Sequence, residues 1–170
     1  MASDYKALRK LNELIKDIRI AMLTTIREDG MPHSRPMAAQ QAETDGDLWF
    51  FTGWSTHKSR EIESLPLVNV AYADLNASTY VSVSGRAQIL RDPAKAKELW
   101  TPFYRAWFPK GLDDPDLALL KVSVEHVEYW DAPSGTMVQL AGLVKGVVTG
   151  KGYQVDHGKL ELQSARRDSD

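Results

Sequence analysis

Cysteine is absent from this 170-residue chain, so disulfides, thiol catalysis and thiolate metal sites are excluded. That absence suits a reducing compartment. Long apolar runs are missing as well. None approaches the ~20 residues that span a bilayer, and the opening Met1-Ala2-Ser3-Asp4-Tyr5-Lys6 lacks the apolar stretch of a secretion signal. A soluble, cytoplasmic protein with no membrane partner is therefore expected. Charge of one sign is also lacking. With 21 Lys+Arg against 23 Asp+Glu, a net charge of −2 and a pI near 6.1, no field draws in a polyanion, and nucleic acid is not an expected partner. The four histidines, His33, His57, His126 and His157, show neither His-x-His nor His-x-x-x-His spacing, so no metal site is expected. Ser82 and Ser84 sit in an apolar-polar alternation rather than in a Gly-x-Ser-x-Gly elbow. Gly150-Lys151-Gly152 lacks the third glycine and the preceding strand of a dinucleotide fingerprint. Asn76-Ala77-Ser78 matches a glycosylation acceptor but carries no weight without a secretion signal.

What the chain does have is concentrated between residues 47 and 60. Asp47-Leu48-Trp49-Phe50-Phe51-Thr52-Gly53 reads as an aromatic strand, Trp54-Ser55-Thr56 as a polar turn, and His57-Lys58-Ser59-Arg60 as the first turn of a helix. That order suits a phosphate ester. Strand-end and helix N-terminal N–H groups point outward, Thr52 and Thr56 add hydroxyls, and Lys58 and Arg60 add charge. The same residues also fit a plainer reading, in which the aromatics are core, Thr56 caps the helix and the cations are solvated.

Around this stretch the pattern alternates between helix and strand. Tyr5, Leu8, Leu11, Ile15 and Ile18 recur at steps of three and four, which predicts an amphipathic helix over residues 4–18. Strands are expected at 19–26, 33–41, 67–74, 79–90 and 119–131, with turns at Asp29-Gly30 and Asp45-Gly46. Pro32 and Pro36 push the second of these strands to an edge or a kink. Gly85 breaks an otherwise regular alternation and marks a bulge. The strand at 119–131 sets Val122, Val124, His126 and Glu128 against Lys121, Ser123, Glu125 and Val127. Short helices are expected at 57–64 and from Asp92-Pro93 to Trp100, helical turns at 101–118, a helix at 136–149 stopped by Gly150, and a frayed end at 164–170. With no repeat or linker, residues 1–170 read as one domain: a mainly antiparallel β-barrel, closed, with helical cover. A small barrel with Trp100, Trp107 and Trp130 left for one lid helix to cover also predicts a homodimer.

Ser34-Arg35-Pro36-Met37 precedes the central stretch by one hairpin, so Arg35 and Lys58 fall on neighbouring strands or their ends. A barrel could hold both against one phosphate; Arg35 could equally be a surface cation paired with an acid. Five segments taken in order carry a family resemblance. They are 34–37; Trp49-Phe50-Phe51-Thr52 with Thr56-x-Lys58; Val81-Ser82-Val83-Ser84-Gly85-Arg86-Ala87; Trp107-Phe108-Pro109 with Gly111 and Asp114-Pro115; and Glu128-Tyr129-Trp130-Asp131. Over roughly residues 5–160 the chain resembles the flavin-binding split β-barrels related to pyridoxamine 5′-phosphate oxidase, and within them the general stress protein 26 branch. The resemblance implies an FMN-binding protein, with FAD or riboflavin less favoured, and a homodimer with flavin sites at the subunit interface. It implies that Arg35 and Lys58 hold the phosphate with Thr56, that His57 beside Lys58 belongs to the cofactor site, and that Arg35, Pro36, Met37, Phe51 and Thr52 line the flavin and ribityl chain. Tyr80 then faces the flavin, and Trp130 approaches from the partner subunit. The chain departs from the oxidases proper. Thr101-Pro102-Phe103-Tyr104-Arg105-Ala106-Trp107 stands where they carry a basic segment, Gln40 stands near an expected lysine, and His57 stands for a second cation. Pyridoxamine phosphate oxidation is thus not expected. The function implied is that of a flavin-dependent oxidoreductase using a small redox donor, the alternative being a flavin-binding stress protein that stores, buffers or senses flavin without turnover. No catalytic residue stands out.

Overall fold

The computed structural model describes residues 2–40, 46–131 and 156–161. The helix expected at 136–149 and the tail at 164–170 lie outside them. Among the described residues, seven antiparallel strands form one curved sheet: β1 (Ile20–Ile26), β2 (Pro32–Ala38), β3 (Asp47–Gly53), β4 (Leu67–Asp74), β5 (Thr79–Leu90), β6 (Leu117–Asp131) and β7 (Asp156–Glu161). The pairing path runs β2-β1-β4-β5-β6-β3, with β7 added to β6. Helices α1 (Ala2–Ile15), α2 (His57–Ser64) and α3 (Pro93–Leu99) and two 3₁₀ turns, Pro102–Ala106 and Gly111–Asp113, cover it.

The closure expected of the barrel is incomplete among the described residues. β2 and β3, the two ends of the path, come side by side without a ladder between them, so the barrel is split along that seam. The sequence shows why β2 can stand at an edge. Pro32 and Pro36 have no N–H to offer a second neighbour, and on the paired side they lie opposite Ile26 and Met22 of β1.

The long strand β6 serves two neighbours along one edge. Its first half, Leu117 to Ser123, pairs with β3, and its second half, His126 to Asp131, pairs with β7. Between the halves, the register with β5 shifts at Ser84/Gly85. Gly85 is required there, because a Cβ would stand 2.1 Å from the Ser123 carbonyl oxygen. The shift corrects the alternation read from the sequence. After the extra residue, Glu125, the faces exchange: Val127 turns inward with Val122 and Val124, while His126 and Glu128 turn outward. β7 had no counterpart in the sequence reading.

β3 is buried along its whole length although it ends the path. Leu48 and Phe50 point into the barrel with Leu23, Val70, Val83 and Leu120; α1 adds Leu11, Leu14 and Ile15 to that cluster, and Ile18 follows just past the helix end. Trp49 and Phe51 point the other way, into a second cluster with Ala96, Tyr104, Phe108 and Leu119. Each large side chain buried this fully contributes about 1.5–3 kcal/mol, so the aromatic run of β3 is a double-sided anchor. The Asp92-Pro93 start of α3 is as expected, with Asp92 accepting from the Lys95 N–H at 2.9 Å.

Candidate functional site

The seam opens into a cavity of about 460 Å³. Ile20, Pro36, Met37 and Ala38 border it from β1 and β2, Phe51, Thr52 and Gly53 from the end of β3, and Thr56 and Lys58 from the turn into α2. Tyr104, Trp107 and Phe108 supply an aromatic wall, and Asp116 completes the border.

The turn that presents Thr56 and Lys58 is wired from several directions. Asp116 fastens it from the start of β6: its carbonyl accepts from Trp54 N–H at 2.7 Å and its Oδ1 from Ser55 N–H at 2.9 Å. Gly53 leaves room for that carboxylate, since a Cβ there would lie 2.5 Å from Asp116 Oδ2. The Gly53 carbonyl then accepts from the hydroxyls of Thr56, at 3.0 Å, and Ser59, at 2.9 Å. The Thr56 side chain thus braces the turn and makes no cap bond to the helix, while its carbonyl accepts the first bonds of α2. The N–H groups of His57 and Lys58, which precede those bonds, have no intrahelical acceptor.

Lys58 is half-buried beside this turn. Burial above all, and then the neighbouring Arg35 charge, lower its pKa from the usual lysine value, whereas Asp116 and Glu61 act in the opposite sense. The ammonium is thus held where an added anion would be favourable. Thr52 supplies the second signal. It is 3% exposed, and its Oγ1 is buried with no hydrogen-bond partner, although it stands on the cavity border. A buried hydroxyl left unpaired costs roughly 1–3 kcal/mol.

Not every residue singled out in the sequence borders the cavity. Pro36, Met37, Phe51, Thr52, Thr56 and Lys58 do. Arg35 stands next to Lys58, but its guanidinium is engaged elsewhere. Nη1 donates to Thr25 Oγ1 at 2.8 Å, and Nη2 lies 2.8 Å from both Glu61 Oε2 and His33 Nδ1. Thr25, fully buried, donates its own hydroxyl to Glu61 Oε2 at 2.5 Å. Burial alone would raise the Glu61 pKa; the hydrogen bonds from Thr25 and Arg35 and the charges of Arg35 and His33 outweigh it and hold the carboxyl below its usual range. His57 opens α2 on the exposed side, with Arg60 Nη2 2.8 Å from its Nδ1. Tyr80 and Trp130 are cross-strand partners on the outer face of β5 and β6, 42% and 37% exposed, and Trp130 stacks on His157 at 5.2 Å. Neither borders the cavity of its own chain. Sequence reasoning missed Asp116, whose signal, a glycine and an acid 63 positions apart, has no local pattern. It also left Tyr104 without a role in the site.

A curved antiparallel sheet, split along one seam with a ligand-sized cavity at the split, places the chain among the split β-barrels. It belongs to the pyridoxamine 5′-phosphate oxidase like family, which it matches over residues 6–154. It is similar to general stress protein 26 of Bacillus subtilis, 29% identical over 136 residues, which are 78% of this chain and 94% of the relative. The crystal structure of the general stress FMN/FAD binding protein from Xanthomonas citri is 32% identical, covers 75% of this chain and 92% of its own, and superposes with a TM-score of 0.64. A solved structure from Jannaschia sp. CCS1 agrees in fold over 95% of this chain and 100% of its own, with 22% identity and a TM-score of 0.76. Among the described residues, no helix is long and apolar enough to cross a membrane and no cluster of side chains could hold a metal ion.

Proposed function

We propose that this chain binds flavin mononucleotide in the seam cavity and acts as a flavin-dependent oxidoreductase with a small redox donor. The observation that carries the reading is Lys58, a half-buried ammonium whose pKa burial lowers, on the border of a cavity with an aromatic wall. The Lys58 ammonium and the N–H groups of His57 and Lys58 receive the phosphate, with Thr56 holding the turn in place. Arg35, kept beside Lys58 by Glu61 and Thr25, adds to the positive potential there. Pro36, Met37 and Phe51 flank the ring and ribityl chain, and Tyr104, Trp107 and Phe108 exclude water from the opposite wall. When bound, the flavin supplies two-electron redox chemistry, which no side chain of this cysteine-free chain offers. The Xanthomonas citri relative, described as binding FMN/FAD, supports the same ligand class.

The proposal includes a homodimer. The outer sheet face is partly apolar, with Ile20 and Met22 on β1 52% and 41% exposed beside Tyr80 and Trp130 further across, and Ile20 belongs to both that face and the cavity border. A second copy packed there would close the cavity and bring its own Trp130 and Tyr80 toward the ligand. Purified protein loaded with FMN tests all of this at once, by its visible spectrum, by light scattering and by NADPH oxidation. The expected result is a yellow dimer that oxidises NADPH. A colourless monomer would overturn the reading, and a yellow dimer without turnover would reduce the function to flavin binding.

A further inference from the structure

Two aromatics of the segment that opens with the 3₁₀ turn Pro102–Ala106 face inward, and two face outward. Tyr104 and Phe108 are buried in the second core cluster, and Gln40 donates from Nε2 to the Tyr104 oxygen, so the segment is fixed to the barrel. Phe103 and Trp107, one position before each, are both 59% exposed and pack edge to face with centroids 5.0 Å apart. The Trp107 indole also borders the seam cavity, so the pair continues the cavity wall out to the surface. Large aromatics left open side by side mark an interaction site. Trp54, by contrast, is covered by the Arg91 guanidinium, 4.7 Å from its ring; among the described residues no cation lies over Phe103 or Trp107. Residues 101–110 carry two charges, Arg105 and Lys110, and no acid. Both cations are exposed, and neither has an ion-pair partner among the described residues.

We infer that Phe103 and Trp107 form an open platform at the cavity mouth that stacks a second, planar heteroaromatic ligand, with Arg105 and Lys110 attracting its anionic groups. The inference rests on the flavin reading and goes beyond it by naming the chemical class of the small redox donor: a flat ring that carries phosphate, as in a nicotinamide dinucleotide. Position favours this occupant, because a donor has to reach the cavity and Trp107 belongs both to its border and to the open surface. Shape favours it too, since an edge-to-face pair offers a ring face and a ring edge to a third ring. Two cations with no acid between them add a positive potential that steers an anion. A second copy of the chain is the other occupant, and charge disfavours it. A two-fold contact centred on the pair would set Arg105 and Lys110 against their own copies.

The test uses FMN-loaded protein. NADP⁺, which binds without reducing the flavin, is titrated by calorimetry, and oxidation of NADPH is compared with that of N-benzyl dihydronicotinamide, which has the ring and no phosphate. Phe103→Leu should weaken NADP⁺ and raise the KM of both reduced donors by roughly two- to tenfold, with kcat and FMN affinity unchanged. Arg105→Gln should weaken NADP⁺ by roughly two- to fivefold and flatten its salt dependence, while the KM of the uncharged donor stays at the wild-type value. Trp107→Leu should weaken NADP⁺ and, because the indole also borders the flavin cavity, FMN as well; Trp107→Phe should restore most of both. Melting temperatures should stay at the wild-type value for Phe103→Leu and Arg105→Gln, since both side chains are exposed. Unchanged NADP⁺ affinity in Phe103→Leu and Trp107→Leu, or no NADP⁺ binding by the FMN-loaded wild type, would overturn this inference and leave the flavin reading standing. Loss of a dimer in Phe103→Leu, seen by light scattering, would assign the pair to a second copy and also overturn it. Failure of the wild type to bind FMN would overturn the flavin reading and this inference with it.

Discussion

Replacing Lys58 with Met removes a charge and keeps an unbranched chain of similar length, so its effects divide cleanly between ligand and fold. In the presence of FMN the variant loses one charge-assisted contact. Such a contact is worth about 1.5–3 kcal/mol, so affinity should fall by roughly one to two orders of magnitude. In the absence of ligand the sign reverses. The folded pKa of Lys58 lies below the usual lysine value of 10.5 because burial and Arg35 disfavour the charged form. Between the folded and unfolded values the unfolded chain binds more protons, so stability rises with pH through that window, and below it the buried charge is held at full penalty. The Met variant escapes the penalty and should melt higher than wild type at neutral pH, with the difference closing as pH approaches 10.5. Fluorescence quenching at two salt concentrations gives the affinity arm, in which the variant's salt dependence should also flatten. Scanning calorimetry between pH 7 and 10 gives the stability arm. Unchanged FMN affinity together with an unchanged salt slope would show that the phosphate is held elsewhere.

Three other substitutions probe the scaffold. Gly85→Ala should destabilise the chain by about 2–3 kcal/mol or more, seen as a lower denaturation midpoint, because the new methyl meets the Ser123 carbonyl at 2.1 Å and neither backbone can yield. Tyr72→Phe should raise the melting temperature by roughly 2–4 °C, since the Tyr72 hydroxyl is buried without a partner and its removal saves about 1 kcal/mol. Glu61→Ala should cost about 1–3 kcal/mol at neutral pH by stranding the Arg35 charge and the buried Thr25 hydroxyl. Because the folded Glu61 pKa is below its usual 4.5, that contribution is present above 4.5 and fades as pH falls through the folded value, so wild type and variant should converge in acid.

Local chemistry made much of the fold readable. Gly30 and Gly46 adopt φ of +80° and +89°, which is why Asp-Gly pairs announced the turns, and Asp92-Pro93 announced a helix for reasons confined to one turn. The bulge at Gly85 was legible as a break in alternation, but its consequence on β6 was not: the residue that absorbs it, Glu125, carries no mark of its own. β7 was missed because its pairing is set by a distant edge of β6 rather than by its own pattern. In the site, Phe51, Thr52 and Lys58 could be found because strand, turn and helix follow one another in the chain. The Arg35–Glu61–Thr25 network and the Asp116 brace join residues 10 to 63 positions apart, and only the register of β1, β2, β3 and β6 brings them together. The Thr56 side chain shows the limit of a local rule, since it has the sequence signature of a cap and is used instead to hold the Gly53 carbonyl.

The central claim is that the seam cavity holds a flavin by its phosphate as well as by its ring. A paired titration of FMN and riboflavin against the same preparation, followed by quenching of flavin fluorescence, tests it most directly. The account predicts that FMN binds about tenfold to a hundredfold more tightly, the scale of one charged contact, and that this advantage shrinks as salt is raised. Equal affinity for the two ligands at low salt would contradict it, and would leave Lys58 as an ordinary cation at the start of a helix.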